Sequence, residues 1–313
     1  MKVIFFGTPD FAVASLKEIH ESKVHTVVGV VTAVDKPAGR GKKLRSSPVK
    51  NYAKEHELHL LQPENLKSNE FISHLQDLSA DVYVVVAFRM MPRSVWSIPK
   101  YGTFNLHASL LPQYRGAAPI NWVIINDEKE TGVTTFLIDE KIDTGNVLLN
   151  EKIKIEEEDN AGSLHDKLMI IGKKLVIKTL NSIEEGDLNS IEQNIKNLNL
   201  KTAPKLNKEN TRINWKKGAK EINSLIKGLS PYPSAWCQIK LNDRLLNLKI
   251  FRSEIGENLK LGAGEVLMGK NELIVGSATG TLKLLDVQLE GKRRSTITDF
   301  VNGHKQYDQI LLI

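Results

Sequence analysis

Residues 82–87 read VYVVVA, with valine at four of the six positions. A run with no polar alternation has no face to give to water, so a strand built from it is covered on both sides. Two other runs repeat the pattern, KVIFF at 2–6 and TVVGVVT at 26–32. Strands of that kind belong to a parallel sheet whose crossover helices pack on both surfaces. The intervening segments fit. Helical periodicity follows GTPDF through Ile19, and further helices are predicted from Ser47-Pro48 and from Ser68, because serine caps helix starts and proline is tolerated in the first turn. The chain is therefore expected to open with a doubly wound α/β domain. Its first turn, at Gly7, lacks the GxGxxG spacing of a dinucleotide site, although a helix N-terminus there can still attract an anion.

The stretch 104–120, FNLHASLLPQYRGAAPI, is the candidate centre of function. Phe104, Leu106 and Ala108 alternate with Asn105 and His107, the period of two that sends one set of side chains into a core and the other toward a cleft. The strand breaks at Pro112, turns through Arg115 and Gly116, and restarts as a helix near Pro119. An amide and an imidazole thus share one face near a strand end. A further strand at 131–138, TGVTTFLI, empties into DEKIDTG at 139–145. The acids there fit either a hard-metal site or a carboxylate partner for His107. Hard metals need several oxygen ligands and transition metals usually recruit more than one histidine, so no metal is predicted. Asp143, before Thr144-Gly145, is the better partner than Asp139.

Residues 35–46, DKPAGRGKKLRS, hold Arg40, Lys42, Lys43 and Arg45 with two glycines and no apolar face. The segment reads either as a solvated linker or as an arm that grips phosphates and orders on binding. It is expected to be unordered by itself.

At 313 residues the chain exceeds the size of about 250 at which single cores stop growing, so two domains are expected. Residues 161–185 carry helical periodicity and close the first domain. Asn, Lys and Ser then replace apolar runs. The expected division is a catalytic domain at 1–188, a linker at 189–206 and a C-terminal domain at 207–313. In the last, a helix is predicted over 215–229, followed by short strands at regular spacing (WCQIKL, LLNLKIF, GEVLMG, ELIVGSA, TLKLLDVQL), the pattern of a small barrel of oligonucleotide-binding (OB) type. From residue 207 onward there are 17 Lys and Arg against 11 Asp and Glu, which is the whole of the net charge of +6. An excess of that kind fits a polyanion partner or a merely solvated basic surface.

The single cysteine, Cys237, excludes an intramolecular disulfide framework and fits a reducing cytoplasm. No apolar run is long enough to span a bilayer, and only six residues precede the first turn, too few for a signal peptide, so a cytoplasmic protein without membrane contact is expected. With no reactive cysteine, nucleophile elbow or P-loop, covalent catalysis is not indicated. Asn105 can donate to a developing oxyanion, and a protonated His107 can do the same or move a proton. These groups suit acyl transfer in which the substrate brings its own nucleophile.

Asn105-Leu-His107, Ser109-Leu-Leu-Pro112, Arg115-Gly-Ala-Ala-Pro-Ile120 and Asp143-Thr-Gly145 together resemble the formyl-folate-dependent formyltransferases. The likeness runs almost the whole length, through GTPDFA, DKPAGRGKKL, SPVK, QP at 62–63, ETGVT, APK at 203–205, Pro231-Tyr-Pro233 and FVNGH at 300–304. The basic loop and the C-terminal β-domain are similar to the branch of the family that acts on methionyl-tRNA. The resemblance implies a Rossmann-like formyltransferase domain followed by an OB-like tRNA-binding domain. It implies 10-formyltetrahydrofolate as formyl donor, initiator methionyl-tRNA as acceptor, no metal, and a monomer. It also implies that Asn105 and His107 hold the tetrahedral oxyanion while Asp143 orients His107 and assists proton removal from the amine. By the same resemblance Phe88, Arg89, Met90, Ser109, Leu110, Leu111, Pro112, Ile138 and Asp139 line the folate site, and Arg40, Lys42, Lys43 and Arg45 meet the tRNA acceptor end. Two departures stand out. Phe88-Arg89-Met90-Met91 replaces a common Tyr-Gly-aliphatic segment, setting an arginine beside the expected pocket, and Gln113-Tyr114 leaves Arg115 as the one cation of its turn.

Overall fold

The computed structural model describes residues 1–38, 43–196, 198–257, 259–305 and 310–313, so Arg40 and Lys42 lie outside the described residues. The chain divides into two compact units. One comprises residues 1–116, 130–153 and 165–202, the other residues 117–129, 154–164 and 203–313. Residues 189–202 thus group with the first unit.

In the first unit the strands are β1 (Lys2–Gly7), β2 (Thr26–Val31), β3 (Leu60–Leu61), β4 (Val82–Val86), β5 (Thr103–His107), β6 (Glu130–Leu137) and β7 (Val147–Lys154). They form one sheet in the order β7-β6-β5-β4-β1-β2-β3. β1, β2, β3, β4 and β5 pair in parallel; residues 3–7 and 82–86 are buried throughout, as both-face coverage demands, whereas β2 is exposed at Thr26, half-buried at Val27 and Val28 and buried from Gly29 onward. β6 departs from this. It runs antiparallel to β5, Leu137 facing Phe104 and Thr134 facing His107. β7 is a half-exposed strand, half of its residues polar, and is not among the strands expected above.

The helices start where the chemistry of their caps places them. In α1 (Asp10–Glu21) an acid occupies the first turn. In α2 (Pro48–Glu55) Ser47 Oγ accepts from Lys50 N at 3.0 Å, and in α3 (Asn69–Asp77) Ser68 Oγ accepts from Phe71 N at 3.4 Å. On one face of the sheet Ile4, Phe6, Tyr83 and Val85 pack against Phe71 and Leu75 of α3.

The described ends of the basic segment differ from their expectation. Lys36–Ala38 pairs antiparallel with Lys43–Arg45, so these residues form the two arms of a short hairpin. Its base is tied down: Lys50 Nζ lies 2.6 Å from Asp35 Oδ2, and Gln62 Nε2 donates to Asp35 Oδ1 at 3.3 Å and to the Ala33 carbonyl at 2.8 Å. The hydrogen bonds from Lys50 and Gln62 hold the Asp35 carboxyl below the ordinary carboxylate range. A carboxyl depressed in the folded state contributes stability in full above its unfolded pKa of about 3.9, and that contribution is lost as pH falls through the lower folded value. Carboxyl NMR titration is expected to place the Asp35 midpoint below the ordinary carboxylate range, and Lys50→Met to move it upward.

The second unit contains α4 (Pro119–Ile125) and, from the C-terminal part of the chain, α6 (Ala219–Leu229) and α7 (Ile297–His304); α5 (Ala161–Glu185) has its first turn in this unit and the rest in the first. Its strands β8 (Ala235–Leu241), β9 (Arg244–Ile255), β10 (Val266–Met268), β11 (Leu273–Gly276), β12 (Thr281–Leu289) and β13 (Ile310–Leu312) pair antiparallel in the order β10-β11-β12-β9-β8-β13. The two edges meet. Glu265 bridges to Leu311, and Leu312 N donates to the Gly264 carbonyl at 2.9 Å, which closes the sheet into a barrel and removes its free edges. The helix predicted from Trp215 begins instead at Ala219, because Gly218 is the extended cap and Trp215 is buried in the barrel core. Cys237 lies in the same core, and burial pushes its thiol pKa up to about 12.

Candidate active site

β5 builds the site. Phe104 and Leu106 are buried on one side, and Asn105 and His107 stand on the other. The register sets Val85 of β4 beside Asn105, and Phe136 and Thr134 of β6 beside Asn105 and His107. The pair therefore shares a face with Ile4, Phe6, Tyr83 and Val85, at the carboxyl end of β5. The expected open cleft is narrower than alternation suggests, since His107 is only 6% exposed and Asn105 is half-buried.

The turn that follows folds back on the histidine. Ser109 Oγ donates to the Gln113 carbonyl at 2.7 Å, Thr134 Oγ1 donates to the Ser109 carbonyl at 2.7 Å, and Leu111 N donates to Thr134 Oγ1 at 3.2 Å. This brings the Tyr114 carbonyl 2.9 Å from His107 Nε2. A carbonyl only accepts, so Nε2 carries a hydrogen, and Nδ1 is the nitrogen left to gain or lose a proton. Asp143 Oδ2 lies 3.8 Å from Nδ1, an ion-pair distance too long for a hydrogen bond. That carboxylate is anchored elsewhere, accepting from Gly116 N at 2.9 Å. Gly116 has φ +127°, a backbone open to glycine and strained for other residues, and this is why the turn reads Arg-Gly.

Asp143 has to be carried to the histidine. Because β6 is antiparallel, its loop leaves beside the start of β5, where Ile138 N donates to the Thr103 carbonyl at 2.8 Å, and runs back along the face to reach His107. Asp139, the other acid weighed from sequence, spends its carboxylate on its own loop, accepting from Thr144 Oγ1 at 2.8 Å and Lys141 N at 2.9 Å. Three non-glycine residues with left-handed backbone lie on the segments around the site: Ala87 (φ 48°), Tyr114 (φ 60°) and Asp143 (φ 55°). Each costs on the order of 1 kcal/mol and persists only where its surroundings enforce it, a pattern concentrated at functional sites. Asn105 Oδ1 adds an unsatisfied group, buried and without a hydrogen-bond partner among the described residues.

The residues expected to line a folate pocket are not alike. Met90 is 71% exposed, as is the neighbouring loop's Ile142 at 59%, and Phe88, Leu110, Leu111, Pro112 and Ile138 are half-buried. Phe88 and Ile138 pack onto the cluster around Ile4 and Phe6. Ser109 is fully buried with its hydroxyl spent on Gln113, and Arg89 is turned away to the backbone, donating to the Pro63 carbonyl at 2.6 Å and the Glu64 carbonyl at 3.0 Å. The arginine that departs from the family pattern is thus held by residues 63–64. Exposed Met90 and Ile142 suit the face of a flat ring system. Among the described residues no three His, Cys, Asp or Glu side chains gather as a metal site, and no helix is long and apolar enough to cross a membrane.

Residues 1–180 match the family model described as formyl transferase, and residues 205–305 the model for the formyl transferase C-terminal domain. The chain belongs to the formyltransferase family. Among curated formyltransferases, a protein of Flavobacterium johnsoniae named methionyl-tRNA formyltransferase is 52% identical over 304 residues, covering 97% of this chain and 96% of its own. Among solved formyltransferase structures, WlaRD, a sugar 3N-formyl transferase determined with dTDP and 5-N-formyl-THF, is 21% identical at TM-score 0.64, covering 94% of this chain and 99% of its own. HypX from Aquifex aeolicus in complex with tetrahydrofolic acid is 17% identical at TM-score 0.66; this chain spans 48% of its length. At such identities the two structures speak for the fold, which is the α/β sheet and closing barrel described above.

Proposed function

We propose that this formyltransferase moves the formyl group of 10-formyltetrahydrofolate to the α-amine of initiator methionyl-tRNA, in the cytoplasm and as a monomer. The observation that carries the reading is the convergence of Asn105, His107 and Asp143 on one face of β5 in a chain whose relatives of nearly equal length bear the methionyl-tRNA name. The folate, when bound, supplies an activated formyl carbon. Asn105 donates its amide hydrogens to the oxygen that becomes negative as the amine attacks, an interaction made only in the transition state. His107, pinned through Nε2 to the Tyr114 carbonyl, presents Nδ1 to the reacting centre and passes the amine's proton onward. Asp143, anchored on Gly116 N, balances the charge when Nδ1 is protonated. Phe88, Met90, Leu110, Leu111, Pro112 and Ile138 form the apolar lining, with Ser109, Arg89 and Asp139 fixing the backbone of that lining.

The test is transfer of labelled formyl to charged initiator methionyl-tRNA, with the elongator species as control. Transfer to a small amine but not to tRNA sinks the reading.

The second unit offers a surface suited to RNA. A pocket of about 350 Å³ is lined by Lys208, Thr211, Trp236, Asn247 and Lys249, and Lys249 lies directly opposite Trp236 across β8 and β9. Lys208 Nζ is 5.2 Å and Arg212 Cζ 5.5 Å from the Trp236 ring centroid. Cations grouped on a half-exposed indole match a phosphate backbone and its unstacked bases. Arg45 is exposed on the first unit's hairpin, where the backbone of Lys43 also lies, and with Arg40 and Lys42 it is proposed to meet the acceptor end. The charge reversals Lys208→Glu and Lys249→Glu together are expected to weaken tRNA binding and lower the slope of log affinity against log salt by about 2, leaving folate affinity unchanged.

A further inference from the structure

Gln193 falls in the stretch that reads as a linker, yet it is 9% exposed and every hydrogen-bonding position of its amide is taken. Its Oε1 accepts twice from Arg115, from Nε at 3.1 Å and from an Nη at 2.6 Å. Its Nε2 donates twice, to the Asp143 carbonyl at 3.0 Å and to the Gly145 carbonyl at 2.7 Å. The segment that carries it is stitched to the first unit on both sides. Ile191 exchanges backbone hydrogen bonds of 2.8 Å with Val147, and the Lys201 carbonyl accepts from Tyr114 N at 2.7 Å.

The position of these bonds matters more than their number. Arg115 sits between Tyr114, whose carbonyl holds His107 Nε2, and Gly116, whose N–H holds Asp143 Oδ2. One amide therefore clamps the turn that fixes the histidine to the turn that carries the carboxylate. Loops of unlike origin, one after β5 and one after β6, are joined by a side chain from a third segment. We propose that Gln193 is a positioning residue, which sets the separation of His107 and Asp143 by locking the Asp143–Gly145 backbone to the Arg115 turn. The inference rests on the reading of that pair as the transfer site.

Two variants separate catalysis from scaffold. Gln193→Leu removes both halves of the clamp. Gln193→Glu keeps the acceptor for Arg115 but sets a carboxylate against the Asp143 and Gly145 carbonyls. Both are expected to lower kcat for formyl transfer by about 10- to 100-fold with KM for the folate held within about twofold, since displacement of a catalytic group by an ångström costs that order of rate. Thermal stability is expected to fall in both variants, and by less in the glutamate variant, which keeps the Arg115 half. The direct readout is the NMR signal of the His107 imidazole at fixed pH, whose charged neighbour is Asp143 at 3.8 Å. Its ring chemical shifts are expected to move in both variants relative to the unsubstituted protein. This measurement needs no turnover, so a protein that formylates no tRNA fails the functional reading while still reporting on Gln193. His107 ring shifts and a kcat superimposable on those of the unsubstituted protein, in a folded Gln193→Glu, would overturn the proposal.

Discussion

Asn105→Ala is expected to lower the rate of formyl transfer by about 10²- to 10³-fold, the usual loss when one donor to a developing oxyanion is removed. The fold gives little reason for a second effect. Asn105 is half-buried on a strand whose packing rests on Phe104 and Leu106 on the opposite face, and its Oδ1 has no partner to lose among the described residues. Melting temperature is therefore expected to stay within a few degrees. Folate affinity, measured by fluorescence, is expected to change far less than kcat, because an interaction formed only in the transition state is absent from the ground-state complex. Equal losses in affinity and in kcat/KM would assign Asn105 to substrate binding instead.

How much of this was legible beforehand depends on what each feature is made of. Helix starts at Ser47 and Ser68 were readable because a cap is a local bargain between one side chain and one N–H. The span 161–185 was readable because twenty-five residues of helical period have no competing pattern. Asn105 and His107 were visible as polar interruptions of an apolar strand. The direction of β6 was not, since TGVTTFLI is equally apolar whichever way it runs, and direction is settled by the connection and not by the strand. The groups that hold His107 and Asp143 were also hidden. Tyr114 acts through its carbonyl and Gly116 through its N–H, and a backbone group leaves no signature in residue type apart from the glycine. Gln193 lay in a stretch without hydrophobic period, where only the fold shows what an amide is near. Barrel closure by Ile310–Leu312 was lost for a similar reason: three residues are too few to show alternation.

Gly145→Ala tests whether the path of the Asp143 loop matters as much as the acid itself. A Cβ at residue 145 would lie 1.7 Å from the Leu137 carbonyl oxygen and 2.8 Å from its carbon. Both are backbone atoms of a strand buried against β5, so they cannot swing aside as a side-chain end would. The loop must move instead, by more than an ångström. Asp143 is two residues away, and its carboxylate reaches Gly116 N at 2.9 Å only because the turn is drawn tight. The displacement is expected to break that hydrogen bond, lengthen the approach to His107 and cost about 10²-fold or more in kcat. The loop meets the sheet at its edge, at Leu137 of β6 and Thr103 of β5, and melting is expected to fall by several degrees without loss of cooperativity. Asp143→Asn supplies the comparison, since it leaves the loop in place and removes the charge. If Gly145→Ala matched the unsubstituted rate while Asp143→Asn did not, the carboxylate would act from more than one loop position, and the tight turn would serve the fold alone.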